Sequence, residues 1–151
     1  HFEGVLDIMD RLTNLISPRK IFMGEKDFQQ YYLVKKFIEN QYKTKVILCN
    51  TVRSNNKVAF SSRNLLLNKK NFFQAGKIIR ELIKFKKIYL RTKKINQRLA
   101  YKKKDLIKKY NIKIEYLETR NIKNLDKSNT FKNSKIFIAY YLNKVRLIDN
   151  L

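Results

Sequence analysis

The chain has 151 residues and carries 35 Lys and Arg against 12 Asp and Glu, a formal net charge of +23. With 44% hydrophobic and 13% aromatic residues, it has the material for a core, which excludes a disordered polycation and suits about one domain of ordinary size. One cysteine, Cys49, and one histidine, His1, exclude an internal disulfide and a cysteine–histidine zinc site. No apolar run approaches the roughly 18 residues of a membrane span, so the expectation is a soluble cytoplasmic protein without a membrane partner.

From Phe2 to Ile16 the apolar residues recur at helical spacing, and Ser17-Pro18 stops the helix, because proline disfavours helical geometry in the residue before it. Lys20–Met23 predicts a buried-type strand ending at Gly24. Asp27 is placed to cap a helix that carries Tyr31, Leu33, Val34, Phe37 and Ile38 to about Asn40, and Thr44–Cys49 predicts a second buried-type strand. Helix and strand alternating over tight connections predict a parallel α/β sheet. Two strands are too few for such a sheet to stand alone, so residues 1–51 look like half a fold.

Charge divides the chain at the same place. Residues 1–51 hold 8 basic and 6 acidic side chains, whereas residues 52–151 hold 27 and 6. A boundary near Val52 is therefore expected. Beyond it lies a polar turn, Ser54–Lys57. Asn68 is positioned to cap a helix to about Tyr89 with Phe72, Phe73, Ile79, Leu82 and Ile83 inward, and a lysine-rich helix covers about Thr92–Tyr110. Strands follow at Ile112–Leu117, which alternates at period 2, at Lys135–Tyr141 and at Val145–Ile148. This half reads as a small α+β domain.

A charge of +23 reads first as the footprint of a polyanion ligand, yet lysine outnumbers arginine 26 to 9 and the excess fits compositional drift on solvated faces better. Nucleic-acid readers favour arginine for bidentate contacts, and neither an aromatic RNP motif nor a GxxG loop is present. Lys, Ile and Asn are what AT-rich coding supplies. Nucleic acid is accordingly not expected as a partner, and a basic nucleic-acid-binding protein is kept as the alternative function.

Two segments hold polar residues that a bare fold does not require. Gly24-Glu25-Lys26-Asp27-Phe28-Gln29-Gln30 sits at the carboxyl end of a strand and opens a helix, where open α/β sheets place ligands and helix N-termini favour anions. An ordinary capped turn explains Gly24 and Asp27 but gives no reason for Lys26, Gln29 and Gln30. Ser61-Ser62-Arg63-Asn64 offers two hydroxyls and a guanidinium suited to phosphate oxygens; alone, it also fits a capped loop. No Walker A loop, GxGxxG, nucleophile elbow or HExxH is present.

These segments, with His1-Phe2-Glu3-Gly4-Val5, Thr51-Val52-Arg53 and Arg146-Leu147-Ile148-Asp149-Asn150, resemble the pantothenate synthetases, the pantoate–β-alanine ligases that form AMP. The order and spacing agree along the whole chain, and the resemblance assigns it to the C-terminal half of such an enzyme. The family's HxGH-type half lies outside it, so no ligase turnover is expected from residues 1–151 alone. Asn50 replaces the proline usual before TVR, Phe60 the Leu or Met usual before SSR, and Glu3 a common arginine. SSRN also stands where class I synthetase relatives carry a mobile loop; the TVR and RLIDN segments argue against that reading.

The resemblance implies the second part of a Rossmann-like parallel sheet domain in residues 1–51 and a small α+β lid in residues 52–151. It implies a cytoplasmic, homodimeric parent that condenses pantoate with β-alanine, using ATP and Mg2+, through a pantoyl adenylate. Lys26 is implied as the catalytic charge. Gly24, Glu25, Lys26, Asp27, Val52, Phe60, Ser61, Ser62 and Arg63 are implied to bind ATP, and Gln30 to bind pantoate. Val5, Ile8 and Met9 either wall the pantoate pocket or form a core stripe, and His1 matches a family histidine near the site.

Overall fold

The computed structural model describes residues 2–151, and the chain divides into two compact units, His1–Thr51 and Val52–Leu151. In the first unit, α1 (Phe2–Ile16) leads to β1 (Lys20–Gly24), a 3₁₀ turn (Glu25–Asp27), α2 (Phe28–Gln41) and β2 (Lys45–Cys49). Helix α1 stops where Ser17 turns left-handed, at φ 49°. The strands pair in parallel, with Lys20 opposite Lys45 and Gly24 opposite Cys49. Val34 and Ile38 of α2 bury against Val46 of β2, and Val5, Leu6, Met9, Ile21 and Met23 close around them.

Both strands were expected to be buried, and this is corrected: Phe22 is 65% exposed and Ile47 37%. Side chains alternate faces along a strand. The register partners Phe22 and Ile47 therefore lie on the face opposite Ile21, Met23 and Val46, which meet α2. Residues around β2 are pinned by polar groups: the Glu39 carboxylate accepts the Val46 N–H at 2.9 Å, and the Thr44 hydroxyl donates to the Pro18 carbonyl at 2.6 Å. The bond from Val46 also holds the Glu39 carboxyl below its usual range, against a smaller opposing effect of burial.

The second unit contains α3 (Lys69–Ile88), α4 (Ile95–Tyr110), β3 (Lys113–Asn121), β4 (Ser134–Leu142) and β5 (Val145–Asn150). Its strands form an antiparallel sheet in the order β3-β4-β5. Asn68 caps α3 as expected, its side-chain oxygen accepting the Asn71 N–H at 2.8 Å. Ile78 and Leu82 of α3, Leu99 and Leu106 of α4, and Ile136 and Ile138 of β4 anchor a core that also takes in Phe85, Ile95 and Phe131.

Phe73 is not inward: it is 55% exposed, with the Lys77 ammonium 5.0 Å and the Arg80 guanidinium 5.9 Å from its ring centre. The lysine-rich helix begins at Ile95 rather than near Thr92, because Lys94 turns left-handed at φ 63°. Strand β3 runs on past Leu117 to Asn121. Among the described residues no helix is long and apolar enough to cross a membrane. The chain is thus a mixed α/β protein with a parallel pair and a separate antiparallel sheet.

Candidate functional site

Within the first unit, Gly24 ends β1 and the chain enters a 3₁₀ turn before α2. The parallel pairing puts that turn beside the end of β2, since Gly24 stands opposite Cys49. One carboxylate oxygen of Glu25 receives the Thr51 N–H at 3.4 Å and the Thr51 hydroxyl at 3.5 Å. The carboxyl ends of both strands are thereby held together, with Lys26, Asp27 and Gln30 following in the turn and the first turn of α2.

Asp27 does not cap α2, a second correction. Its side chain makes no capping bond at φ −97° and ψ 50°; its carboxylate instead faces the Lys26 ammonium at 3.5 Å. The Lys26 side chain is only 18% exposed while that of Asp27 is 49% exposed, so the ammonium is partly sheltered from solvent. Such a charge acts on a neighbouring anion with less screening than one in bulk water. Open backbone surrounds Gly24, where an added Cβ would meet nothing within 4 Å. Val5 and Met9 pack into the core of the unit, whereas Ile8 is 58% exposed. His1 lies outside the described residues.

Within the second unit, residues 52–60 fold back on themselves. Ser54 N–H bonds to Val58 O at 2.9 Å, Lys57 N–H to Ser54 O at 2.8 Å, and Phe60 N–H to Val52 O at 3.1 Å. This hairpin sets Val52 and Phe60 side by side, 69% and 58% exposed, and delivers the chain to Ser61. The Ser61 hydroxyl oxygen accepts the Arg63 N–H at 3.2 Å, which leaves its O–H able to donate outward. Asn64 donates to Ala59 O at 3.0 Å and fixes the base of the loop. Ser62 and Arg63 are exposed at the start of a 3₁₀ turn, Ser62–Leu66. The structure therefore groups Gly24, Glu25, Lys26, Asp27 and Gln30 in one unit, and Val52, Phe60, Ser61, Ser62 and Arg63 in the other.

Two features escaped the sequence. Arg53 makes a fork-like pair with Asp149, at 2.6 and 2.9 Å, and also donates to Asn150 O at 3.0 Å. The Asp149 side chain is 3% exposed, so the pair is bidentate and well shielded on the acidic side. TVR and RLIDN are thus two halves of one strap that anchors the foot of the hairpin. The signal was one arginine and one aspartate, Arg53 and Asp149, each standing in a family motif without a role of its own. The hairpin tip is strapped too: Asn56 donates to Phe72 O at 3.1 Å, and Arg80 donates to Asn56 O at 3.1 Å. Gly76 permits this contact, because a Cβ there would lie 2.7 Å from the Asn56 carbonyl.

Comparison with known proteins matches residues 1–151 to the family model described as pantoate-beta-alanine ligase. A pantothenate synthetase of Flavobacterium psychrophilum is 33% identical over 155 residues, covering 100% of this chain and 55% of the relative. The crystal structure of pantothenate synthetase from Thermus thermophilus superposes with a TM-score of 0.88 at 25% identity, over 100% of this chain and 55% of that one. A pantoate-beta-alanine ligase of Francisella tularensis, solved with beta-gamma ATP and beta-alanine, gives 0.70 at 31% identity, covering 100% and 50%. The chain thus spans about half the length of the relatives it matches. That share fixes an amount and not an end; placement as the C-terminal half rests on the sequence resemblance alone. By its family match across every residue, the chain belongs to the pantoate-beta-alanine ligases.

Proposed function

We propose that the protein to which this chain belongs joins pantoate to β-alanine at the expense of ATP, by way of a pantoyl adenylate. The pantoate carboxylate attacks the α-phosphorus of ATP and expels pyrophosphate; the β-alanine amine then attacks the acyl carbon and expels AMP. No covalent bond to the protein is needed, so the residues serve to position reactants and to stabilise charge on the phosphoryl group.

The grouping of Gly24, Lys26, Asp27 and Gln30 at the carboxyl ends of two parallel strands carries this reading, because ligands of open α/β sheets bind there. In it the Lys26 ammonium stabilises charge on the phosphates, Gly24 and Asp27 meet the ribose, Glu25 holds the strand ends, and Gln30 donates to pantoate. Val52 and Phe60 receive adenine, and Ser61, Ser62 and Arg63 donate to phosphate oxygens. Mg2+ enters as part of the ATP substrate. Phosphate oxygens are the usual ligands of such an ion.

The test is pyrophosphate release from ATP and pantoate by the full-length enzyme with Lys26→Ala. A fall of roughly 10²–10³-fold is expected, the size of a lost transition-state contact; release at the parent rate would refute the role of Lys26.

A further inference from the structure

The lysine excess is not spread evenly. Residues 69–110, the span of α3 and α4, hold sixteen Lys and Arg and two Asp and Glu. The two helices run antiparallel: Gln74 donates to the Tyr110 carbonyl at 2.7 Å, and the Arg98 guanidinium lies 4.7 Å over the Tyr89 ring at the other end. On α3 the residues Lys70, Phe73, Lys77, Glu81, Lys84 and Ile88 are three or four apart, so they form a single stripe about 27 Å long. That stripe lines two hollows along the seam. One, of about 590 Å³, lies among Lys70, Phe73, Lys77, Lys109 and Tyr110. The other, of about 490 Å³, lies among Lys84, Ile88, Arg98 and Tyr101, with the carboxylates of Glu81 and Asp105 also on its wall.

Both acidic residues of this region are engaged by lysines, Glu81 with its side chain 20% exposed and Asp105 with its side chain still 54% exposed. Glu81 receives Lys102 at 2.5 Å, Lys109 at 2.6 Å and the Tyr110 hydroxyl at 2.5 Å, and Asp105 receives Lys102 at 2.7 Å. What the seam presents to solvent is therefore net cationic, with Asp105 its exposed carboxylate, and interleaved with rings: Tyr101 is 74% exposed and Phe73 55%. Arg98 and Lys77 each sit over a ring, at 4.7 and 5.0 Å.

We propose that the α3–α4 seam binds single-stranded nucleic acid, with lysines following the phosphates and the exposed rings of Phe73 and Tyr101 stacking on bases. Cationic grooves that carry exposed aromatic rings are how single strands are held without sequence preference, and about 27 Å accommodates roughly four nucleotides, the short end of such sites. A duplex hides its base faces and would leave the rings unused. An anionic membrane would use the charge and no stacking.

The experiment follows the anisotropy of a short labelled oligouridylate with the whole chain across a salt series. The expected result is binding with a log–log salt slope of about −3, the value for roughly four phosphate contacts. The single strand should bind more tightly than its duplex or phosphatidylserine vesicles. Phe73→Ala with Tyr101→Ala, which keeps every charge, should weaken binding about 10-fold or more with the slope unchanged. Lys70→Gln with Lys84→Gln should instead flatten the slope by about 1. Excess Mg·ATP should displace no more RNA than salt of equal ionic strength, which separates this seam from the proposed substrate site. Parent-like binding by the ring variant, tighter binding of duplex or vesicles, or specific displacement by ATP would each overturn the proposal. Should the ring variant shift the melting curve, the lysine pair decides: an unchanged slope overturns it.

Discussion

The two units differ more than their lengths suggest. The core of Val52–Leu151 gathers seventeen buried apolar residues among those described, whereas that of His1–Thr51 gathers three, Val34, Ile38 and Val46. The contrast follows from topology. A three-stranded antiparallel sheet with two helices encloses a core of its own, while a two-stranded parallel pair beside α2 leaves Phe22 and Ile47 on an uncovered face. Hydrophobic stabilisation scales with area removed from water, so the larger unit sets most of the stability of the chain. The smaller unit carries the chemically varied turn at the strand ends, with Glu25, Lys26 and Asp27 in succession.

That comparison breaks or holds on equivalent strand substitutions. Ile138 of β4 is fully buried at 0% exposure, whereas Phe22 of β1 is 65% exposed. Ile138→Ala should cost about 4 kcal/mol in urea unfolding, as buried large-to-small changes do. Phe22→Ala, although it removes more atoms, should fall within about 0.5 kcal/mol. Comparable losses from both would mean that the open face of β1 is covered in solution.

The strap between motifs comes next. Asp149→Ala would leave the Arg53 guanidinium, whose side chain is 20% exposed, without its bidentate partner. Removing one member of a shielded pair costs about 3 kcal/mol. Asp7→Ala in the first unit breaks a pair with Arg11 whose side chains are 58% and 77% exposed, and it should cost under about 0.5 kcal/mol. Equal losses would deny the strap its role.

Legibility in the sequence followed the same division. Period and punctuation predicted the elements well, because a helix such as α1 or a capped start such as Asn68 is decided locally. Burial was less legible. Phe73 has the spacing of an inward residue but sits beneath two cations, and Phe22 has the look of a buried strand residue in a sheet with one face open. The turn at residues 24–27 was visible from its unusual composition, although Asp27 turned toward Lys26 rather than toward the helix end. Arg53, Asp149 and Gly76 were hidden, since their partners lie 96, 96 and 20 residues away in sequence. Long-range pairings leave no local period to detect.

Gly76→Ala sharpens the comparison by setting local against tertiary preference. In a helix interior alanine is favoured over glycine by about 1 kcal/mol, so a solitary α3 would be stabilised. Here the new Cβ would stand 2.7 Å from Asn56 O and 2.9 Å from Asn56 Cβ, and the hairpin tip would have to give way. A net loss of about 1–2 kcal/mol is expected. A gain would mean that the tip is not packed on α3.

The smallest effect is a pH dependence peculiar to the larger unit. Burial works against ionisation of Glu81, yet the bonds from Lys102, Lys109 and the Tyr110 hydroxyl outweigh it and hold the carboxyl at about 2, against 4.5 ordinarily. A folded-state pKa below the unfolded one means that the native form binds the proton less readily. The contribution of Glu81 is therefore fully present above pH 4.5 and is lost as the pH falls toward 2. Discounted for solvent that still reaches the group, it amounts to about 1 kcal/mol. Glu81→Gln should remove that part of the acid dependence and leave stability near neutral pH lower by about the same amount. An unchanged acid limb would place the titration elsewhere, with Glu39, whose carboxyl is also held low by the Val46 N–H, as the group in the smaller unit to test against it.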